Sequence, residues 1–305
     1  MIPTDTTVTT LDELRLALDA ARLSGRSIGL VPTMGALHEG HLSLIDRSVA
    51  ENGLTVVTIF VNPTQFRPGE DLDSYPRQLE IDVALATERG AGIVFAPPVS
   101  EVYPDGFATK VTTTGITETL CGAPERRGHE HFDGVTTVVA KLFNMVQADR
   151  AYFGQKDAQQ VAVIRRMARD LNFRTAVIAC PTVREADGLA LSSRNAYLTD
   201  SDRPRALALS KALRATEASI AAGETDVAKL RSVALEILSE TDKVEYFELV
   251  DPDSLETLTR VDGPVLAVTA ARVGATRLID NLLLQAQPQQ THTPTPPVAA
   301  RHSGA

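Results

Sequence analysis

Short apolar segments alternate with segments of helical periodicity through the first 180 or so residues, and this alternation constrains the fold more than any other feature. The apolar segments are rich in β-branched residues and lie at 27–31, 54–61, 92–96, 150–153 and 175–179. The helical segments lie at 11–23, 41–51, 79–89, 135–146 and 158–171. Continuously apolar strands between amphipathic helices are typical of a parallel sheet covered on both faces. The pattern predicts an α/β fold, a Rossmann-like doubly wound parallel sheet.

The pattern changes near residue 181, where a second region begins. Helical periodicity at 202–222 and 227–240 is followed by strand-like segments at 244–250 and 264–270, which predicts a smaller α+β domain. From about residue 285 the chain is a mixture of Pro, Thr and Gln with little to bury, so this tail is predicted to be disordered. We therefore expect domains at 1–182 and 183–284 and a tail at 285–305.

Charge and cysteine content narrow the function classes. The 39 acidic side chains outnumber the 30 basic ones, for a net charge of −9, which disfavours binding of nucleic acid through its phosphate backbone. The two cysteines, Cys121 and Cys180, have no zinc-like spacing. No segment has the roughly 18 consecutive apolar residues of a membrane helix. These features predict a cytoplasmic protein with no nucleic-acid or membrane partner.

The segment from Pro32 to His41, PTMGALHEGH, combines a strand end, a glycine-bearing turn and a helix start. Backbone N–H groups at a helix start and imidazoles able to carry positive charge suit a polyphosphate. His38 and His41 are three residues apart and would share one helix face. The alternatives are a metal-binding pair or capping histidines.

Polar side chains also follow the second predicted strand, in FVNPTQF. Asn62 and Gln65 stand where hydroxyl and carboxylate groups of a substrate could be recognised. The alternative is an Asn-Pro turn with a solvated glutamine.

The segment FGQKDAQQ repeats the order of strand, glycine and helix. Lys156 at the helix start can reach phosphates, and Gln160 lies one turn further on the same face. An ordinary surface lysine is the alternative.

The segment LSSRN, residues 191–195, places two hydroxyls and a guanidinium near the predicted domain junction. Such a loop can close over a triphosphate, with Arg194 offering forked donors to phosphate oxygens. The alternative is a local serine turn that leads into the next helix.

Some further residues are weaker candidates. Tyr75 and Asp82 could face the site, and the Asp82 carboxylate could help to hold Mg²⁺ on substrate phosphates. His129 and His131 flank Glu130 in a glycine-containing loop, and we expect them at the surface.

Taken in order, PTMGALHEGH, FVNPTQF, FGQKDAQQ and LSSRN resemble the pantothenate synthetase family, the ATP-dependent pantoate–β-alanine ligases. The resemblance covers residues from about 5 to 285. It implies an HxGH nucleotidyltransferase-like fold, a cytoplasmic homodimer and a reaction in two steps. Pantoate attacks the α-phosphate of Mg·ATP to give pantoyl adenylate and pyrophosphate, and β-alanine then displaces AMP.

The resemblance also implies residue roles. His41 is the residue to which the family's proton-donor role is assigned, with His38, Lys156 and Arg194 as its catalytic partners. Gln65 and Gln160 would hold pantoate, Gln65 would also lie near β-alanine, and Asn62 would contact substrate. The ATP-binding residues would be Met34, Gly35, Ala36, Leu37, His38, Glu39, Gly40, His41, Gly154, Gln155, Lys156, Asp157, Val183, Leu191, Ser192, Ser193 and Arg194. Because pyrophosphate leaves as a stable anion, we expect both histidines to act chiefly by stabilising charge.

The chain departs from the family pattern in two places. The loop 121–134 is altered and lengthened, which leaves its role at a subunit contact or over the site open. Leu191 stands where methionine is frequent, a swap that conserves volume.

Two rival functions stay open at this point. One is a nucleotidyltransferase that adenylates a small phosphorylated acceptor, for which extra basic groups would be expected. The other is a non-catalytic nucleotide-binding module.

Overall fold

The computed structural model describes residues 6–67, 69–70 and 72–285. The strands are β1 (Thr6–Val8), β2 (Ile28–Thr33), β3 (Leu54–Ile59), β4 (Ile93–Phe95), β5 (Arg150–Gly154), β6 (Ala176–Cys180), β7 (Lys243–Val250), β8 (Pro264–Val273) and β9 (Thr276–Gln285). The α-helices are α1 (Leu11–Leu23), α2 (Glu39–Glu51), α3 (Leu79–Glu88), α4 (Val99–Val102), α5 (His129–Val146), α6 (Ala158–Asp170), α7 (Asp202–Ala206), α8 (Ala208–Ala221) and α9 (Val227–Leu238).

Strands β1 to β6 form one parallel sheet in the order β1-β4-β3-β2-β5-β6. The central strands β2 and β3 are buried along nearly their whole length, because helices cover both faces of the sheet. From β2 the strand order runs in one direction to β3 and in the other to β5. This reversal between β2 and β5 opens a crevice at the carboxyl ends of the two strands. The predicted α/β fold with a doubly wound parallel sheet is confirmed.

The later part of the chain forms an antiparallel sheet in the order β7-β8-β9, covered by α8 and α9. The predicted single helix at 202–222 is divided into α7 and α8 at Leu207, whose N–H lies 3.4 Å from the Arg203 carbonyl. Strands β1 and β9 were not predicted.

Hydrophobic clusters join the two sheets. Phe132 of α5 and Val163 of α6 pack in one cluster with Tyr246 and Val268 of the antiparallel sheet.

The domain boundary at 182/183 stays a prediction. The predicted disordered tail lies, apart from Gln285, outside the described residues. In the described part of the chain, no helix has the length and apolar character needed to cross a membrane.

Candidate active site

A cavity of about 250 Å³ lies at the carboxyl ends of β2 and β5, where the strand order reverses. Residues from all four motifs line it, although they are far apart in the sequence. The predicted residues in its wall are Met34, His38, Gly40, His41, Asn62, Gln65, Tyr75, Gly154, Lys156, Asp157, Gln160, Val183, Leu191, Ser192, Ser193 and Arg194. Gly35, Ala36, Leu37, Glu39 and Gln155 belong to the same segments but are not in the wall.

The two histidines stand at the N-terminus of α2. His38 is the N-cap residue, and its Nδ1 accepts a hydrogen bond from Gly40 N at 3.1 Å. The Nδ1 atom of His41 accepts from His38 N at 3.4 Å, and the ring centroids are 4.2 Å apart. Because both Nδ1 atoms are acceptors, the neutral form of each ring carries its hydrogen on Nε2. Capping, an alternative left open by the sequence, is therefore one role of His38.

Burial makes protonation of both rings unfavourable. It is the main cause of the lowered pKa of His38, and the charge of Lys156 contributes to it. Burial also lowers the pKa of His41 to about 3, with His38 as the next largest cause. Both imidazoles are therefore neutral at pH 7 and each can donate one hydrogen bond from Nε2, whereas the sequence suggested positive charge.

Asp82 supports the turn that precedes α2. Its carboxylate accepts hydrogen bonds from Ala36 N at 2.9 Å and Leu37 N at 2.8 Å. The turn needs this support because Gly35 and Ala36 both have positive φ, 83° and 51°.

The position of Asp82 bears on its predicted role at Mg²⁺. The side chain projects from α3 into the protein interior, is 1% exposed and is not in the wall of the cavity that contains the histidines. Among the described residues, no three His, Cys, Asp or Glu side chains are grouped in a way that could hold a metal ion. Because Mg²⁺ usually binds through one or two carboxylates together with substrate phosphates, a role of Asp82 at the metal stays a prediction.

Asn62 organises the turn after β3 and is 1% exposed. Its Oδ1 accepts from Tyr103 Oη at 2.8 Å and Thr64 Oγ1 at 2.9 Å, while its Nδ2 donates to Gln65 Oε1 and Gly134 O, both at 3.1 Å. These bonds use both hydrogens of the Asn62 amide. Asn62 thus positions Gln65, whose Nε2 lies 3.0 Å from Met34 Sδ. The Asn-Pro turn exists, but Gln65 is partly buried in the cavity wall.

Lys156 lies in the short 3-10 turn Gln155–Asp157 between β5 and α6. Its side chain is 20% exposed, and its Nζ is 3.9 Å from Asp157 Oδ2. Lys156 is therefore more buried than an ordinary surface lysine, which was the alternative. Gln160, in the first turn of α6, lines the same cavity.

The loop with Leu191 to Arg194 forms another part of the cavity wall. Ser192 Oγ accepts from Arg194 N at 3.2 Å, so the local serine turn is present. Its flanks are fixed by the ion pair of Arg184 with Asp280, at 2.7 Å, and by Asn195 Nδ2, which donates to Glu185 Oε1 at 2.7 Å. The loop is thus both a turn and part of the cavity wall.

Sequence reasoning placed His131 at the surface, and this prediction is wrong. Helix α5 begins at His129 rather than at residue 135, so His131 falls on its inner face and is only 8% exposed. Its Nδ1 donates to Gln65 O at 2.8 Å, and its Nε2 accepts from Arg127 Nη1 at 3.2 Å. The same helix contributes the apolar wall of Val135, Val138, Val139 and Leu142. The helical spacing of His131 and Val135 could have predicted that the two side chains share one face of α5.

Arg127 also lines the cavity, which was not predicted. Its Nη2 contacts Glu70 Oε2 at 3.0 Å, and Arg67 forms a second link at 3.0 Å with Glu130. The segment 121–134 therefore contributes Arg127 and His131 to the cavity wall and is tied to the chain near residue 70.

The cavity combines hydrogen-bond donors and a cation at the β2 and β5 ends with amides and an apolar wall at the α5 end. Such an arrangement can hold a polyphosphate beside a small, partly apolar acid. A partly buried lysine and neutral imidazole donors can stabilise negative charge that develops between the two substrates.

Comparison with known proteins agrees with this chemistry. A family model described as pantoate-beta-alanine ligase matches residues 6–283. The pantothenate synthetase of Acetivibrio thermocellus is 52% identical over 281 residues, which are 91% of this chain and 99% of the relative. That of Moorella thermoacetica is 54% identical over 279 residues, 90% of this chain and 97% of the relative.

Two crystal structures share the fold. The pantothenate synthetase of Thermus thermophilus superposes with a TM-score of 0.85 at 47% identity, covering 92% of this chain and 99% of that one. The pantoate-beta-alanine ligase of Francisella tularensis, solved with beta-gamma ATP and beta-alanine, gives a TM-score of 0.73 at 34% identity and covers 91% and 97%. With its four motifs brought together in one cavity, this chain belongs to the pantoate–β-alanine ligase family.

Proposed function

We propose that the protein joins pantoate to β-alanine with ATP, through a pantoyl-adenylate intermediate, and releases pyrophosphate and AMP. The observation that carries this proposal is one cavity whose wall contains Lys156, His38 and His41 as well as Gln65, Gln160 and the apolar face of α5. The first group suits a polyphosphate. The second suits an acid with hydroxyl groups and two methyl groups, which is the chemistry of pantoate.

In the first step a pantoate carboxylate oxygen attacks the α-phosphorus of ATP. A new oxygen–phosphorus bond forms while the bond to the bridging oxygen breaks, and pyrophosphate leaves with the bonding electrons. Lys156 and Arg194 would neutralise the phosphate oxygens, and the Nε2–H groups of His38 and His41 would donate to the charge that develops.

In the second step the neutral amine of β-alanine attacks the acyl carbon of the adenylate. The carbon–nitrogen bond forms, AMP leaves with the electrons of the broken carbon–oxygen bond, and the nitrogen loses a proton. Gln65 would hold both acids, because it lies in the cavity wall and is fixed by Asn62 and Met34. The free carboxylate is a poor acyl donor, so the first step is chemically required.

The histidines enter this reaction as neutral donors. A bound polyphosphate would raise their pKa values, since an opposite charge favours the protonated form. We propose that their main role is to stabilise charge, with proton donation by His41 as the alternative. A histidine-like ionisation in the pH profile of adenylation that disappears in His41→Gln, together with a large rate loss, would support the alternative.

Further properties belong to the same proposal. Mg²⁺ would enter as Mg·ATP, residues 1–182 and 183–284 would be separate domains, and the enzyme would be a cytoplasmic homodimer. Sedimentation equilibrium tests the dimer, and a single-chain mass would contradict it.

The decisive experiment follows both products. We expect pyrophosphate release with ATP and pantoate alone, and AMP release with pantothenate formation once β-alanine is added. Pyrophosphate release only with a phosphorylated acceptor would indicate a nucleotidyltransferase. ATP that survives incubation with both acids would indicate a binding module.

A further inference from the structure

Strand β9 of the antiparallel sheet reaches the turn that contains Lys156. The Asn281 side chain is buried, and its Nδ2 donates to Gln155 O and to Lys156 O, both at 2.9 Å. These two bonds use both hydrogens of the amide. The Oδ1 atom of Asn281 is buried without a hydrogen-bond partner among the described residues. The Asn281 amide therefore contributes to the structure through its two donated hydrogen bonds and not through its oxygen.

The neighbouring residue holds the other ATP-binding segment. Asp280 forms a paired contact with Arg184, at 2.7 and 2.9 Å, and Arg184 Nη1 also donates to Gly188 O at 3.1 Å. Asp280 Oδ1 accepts from Asn281 N at 2.7 Å. Two adjacent residues of β9 therefore connect the Lys156 turn with the loop that leads to Arg194.

The two hydrogen bonds from Asn281 to the carbonyl groups of Gln155 and Lys156 fix the two peptide planes on either side of the Lys156 Cα. They therefore restrict the direction of the Lys156 side chain. That side chain is only 20% exposed and lines the cavity beside His38. A small rotation of the turn would move the ammonium group away from the site. Displacements of about 1 Å at a reacting group can cost on the order of a hundredfold in rate.

We propose that Asn281 is a positioning residue for nucleotide activation, acting from the antiparallel sheet through the backbone of the Lys156 turn. The proposal rests on the proposed role of Lys156 toward ATP phosphates. It assigns to the second sheet an indirect part in the first chemical step, because Asn281 does not line the main cavity and acts only through the Lys156 turn.

The test measures pantoate-dependent exchange of pyrophosphate into ATP for Asn281→Ala, with Asn281→Ser as a milder variant. Loss of both hydrogen bonds predicts a fall of about tenfold or more in kcat/KM for ATP, with KM for pantoate nearly unchanged. Asn281→Ser retains one donor and should lie between Asn281→Ala and the wild type.

Two controls separate positioning from lost stability. Val265→Ala truncates a buried residue of β8 that is remote from the Lys156 turn, and it should lower Tm with little change in exchange. In a Lys156→Ala background, Asn281→Ala should have almost no further effect on exchange, since residues that act through one another are not additive.

The proposal is overturned if Val265→Ala, at equal loss of Tm, slows exchange as much as Asn281→Ala. It is also overturned if Asn281→Ala causes the same fold loss with and without Lys156. If the wild type shows no pantoate-dependent exchange, the proposed function is wrong instead. The ATP affinity of the same variants then tests whether Asn281 acts through Lys156.

Discussion

At the scale of single residues, the site depends on buried polar groups that never have to touch a ligand. Asp82 is the clearest case, because its two oxygens hold the backbone of Ala36 and Leu37 in a turn with positive φ. A carboxylate that accepts two backbone N–H bonds in the interior is hard to replace, since an amide of the same shape has only one acceptor oxygen and leaves one N–H unpaired.

Asp82→Asn should therefore destabilise the protein by about 1–3 kcal/mol and raise KM for ATP, because one acceptor becomes a donor that faces a backbone N–H. Urea denaturation and exchange kinetics measure the two effects, with exposed Glu80→Gln on the same helix as the control. The Mg²⁺ dependence of exchange should not change. A tenfold weaker Mg²⁺ response at wild-type stability would instead support Asp82 as a metal ligand.

Lys156→Ala removes the ammonium group that the Gln155–Asp157 turn presents to the cavity. We expect a loss of about 2–4 kcal/mol of transition-state stabilisation in adenylation, the range for one electrostatic group in a preorganised site. Exchange of pyrophosphate into ATP measures this step alone. Exchange at the wild-type rate would rule out the role proposed for this lysine.

At the scale of elements, α5 is the wall that joins the two ends of the cavity. Gly134 lets the helix approach the Pro63–Gln65 turn so closely that an added Cβ would lie 2.5 Å from Thr64 O and 2.7 Å from Gln65 N. Asn62 Nδ2 donates to the Gly134 carbonyl at this contact. The close contact between Gly134 and the Pro63–Gln65 turn therefore fixes the position of Gln65.

Gly134→Ala should weaken pantoate binding and lower stability, although glycine to alanine inside a helix usually stabilises by about 1 kcal/mol. The new methyl group must displace backbone atoms of the turn. KM for pantoate and Tm are the measurements. Gly263→Ala, which meets no atom within 4 Å, is the matched control and should leave both values near wild type.

At the scale of the whole molecule, buried neutral histidines make stability depend on pH. Burial is the main cause that lowers the pKa of His131 to about 4, and the neighbouring Arg127 charge adds to it. The unfolded chain, with an ordinary histidine pKa near 6.5, binds more protons than the native state between these values. The stability that neutral His131 contributes is therefore complete above pH 6.5 and is lost as the pH falls toward 4.

Between pH 7 and pH 5, the free energy of unfolding should fall by about 2 kcal/mol less in His131→Asn than in the wild type. This figure follows from about 1.4 kcal/mol per pH unit below 6.5. Urea denaturation at the two pH values measures the difference. His129→Asn is the control, because that ring is half exposed on the solvent side of the same turn. Equal pH slopes for His131→Asn and the wild type would contradict the assignment.

The sequence alone determined the α/β class, the succession of strands and turns along the chain, and the edge of the sheet where the motifs meet. These follow from local periodicity and from the rule that parallel strands end at a common edge. Met34, His38, His41, Gln65 and Lys156 were therefore predicted to meet at one edge of the sheet, and all five lie in the wall of one cavity.

Only the tertiary structure decided which polar groups remain for a ligand. Asp82 and Asn62 are bonded to protein partners, His131 is turned inward by an early helix start, and Asn281 supports a turn 125 residues away. No local pattern encodes such contacts, because the partner of a buried donor or acceptor is set by the residues that folding brings beside it. For the same reason, only the folded structure shows which residues line the cavity and which ones maintain its shape.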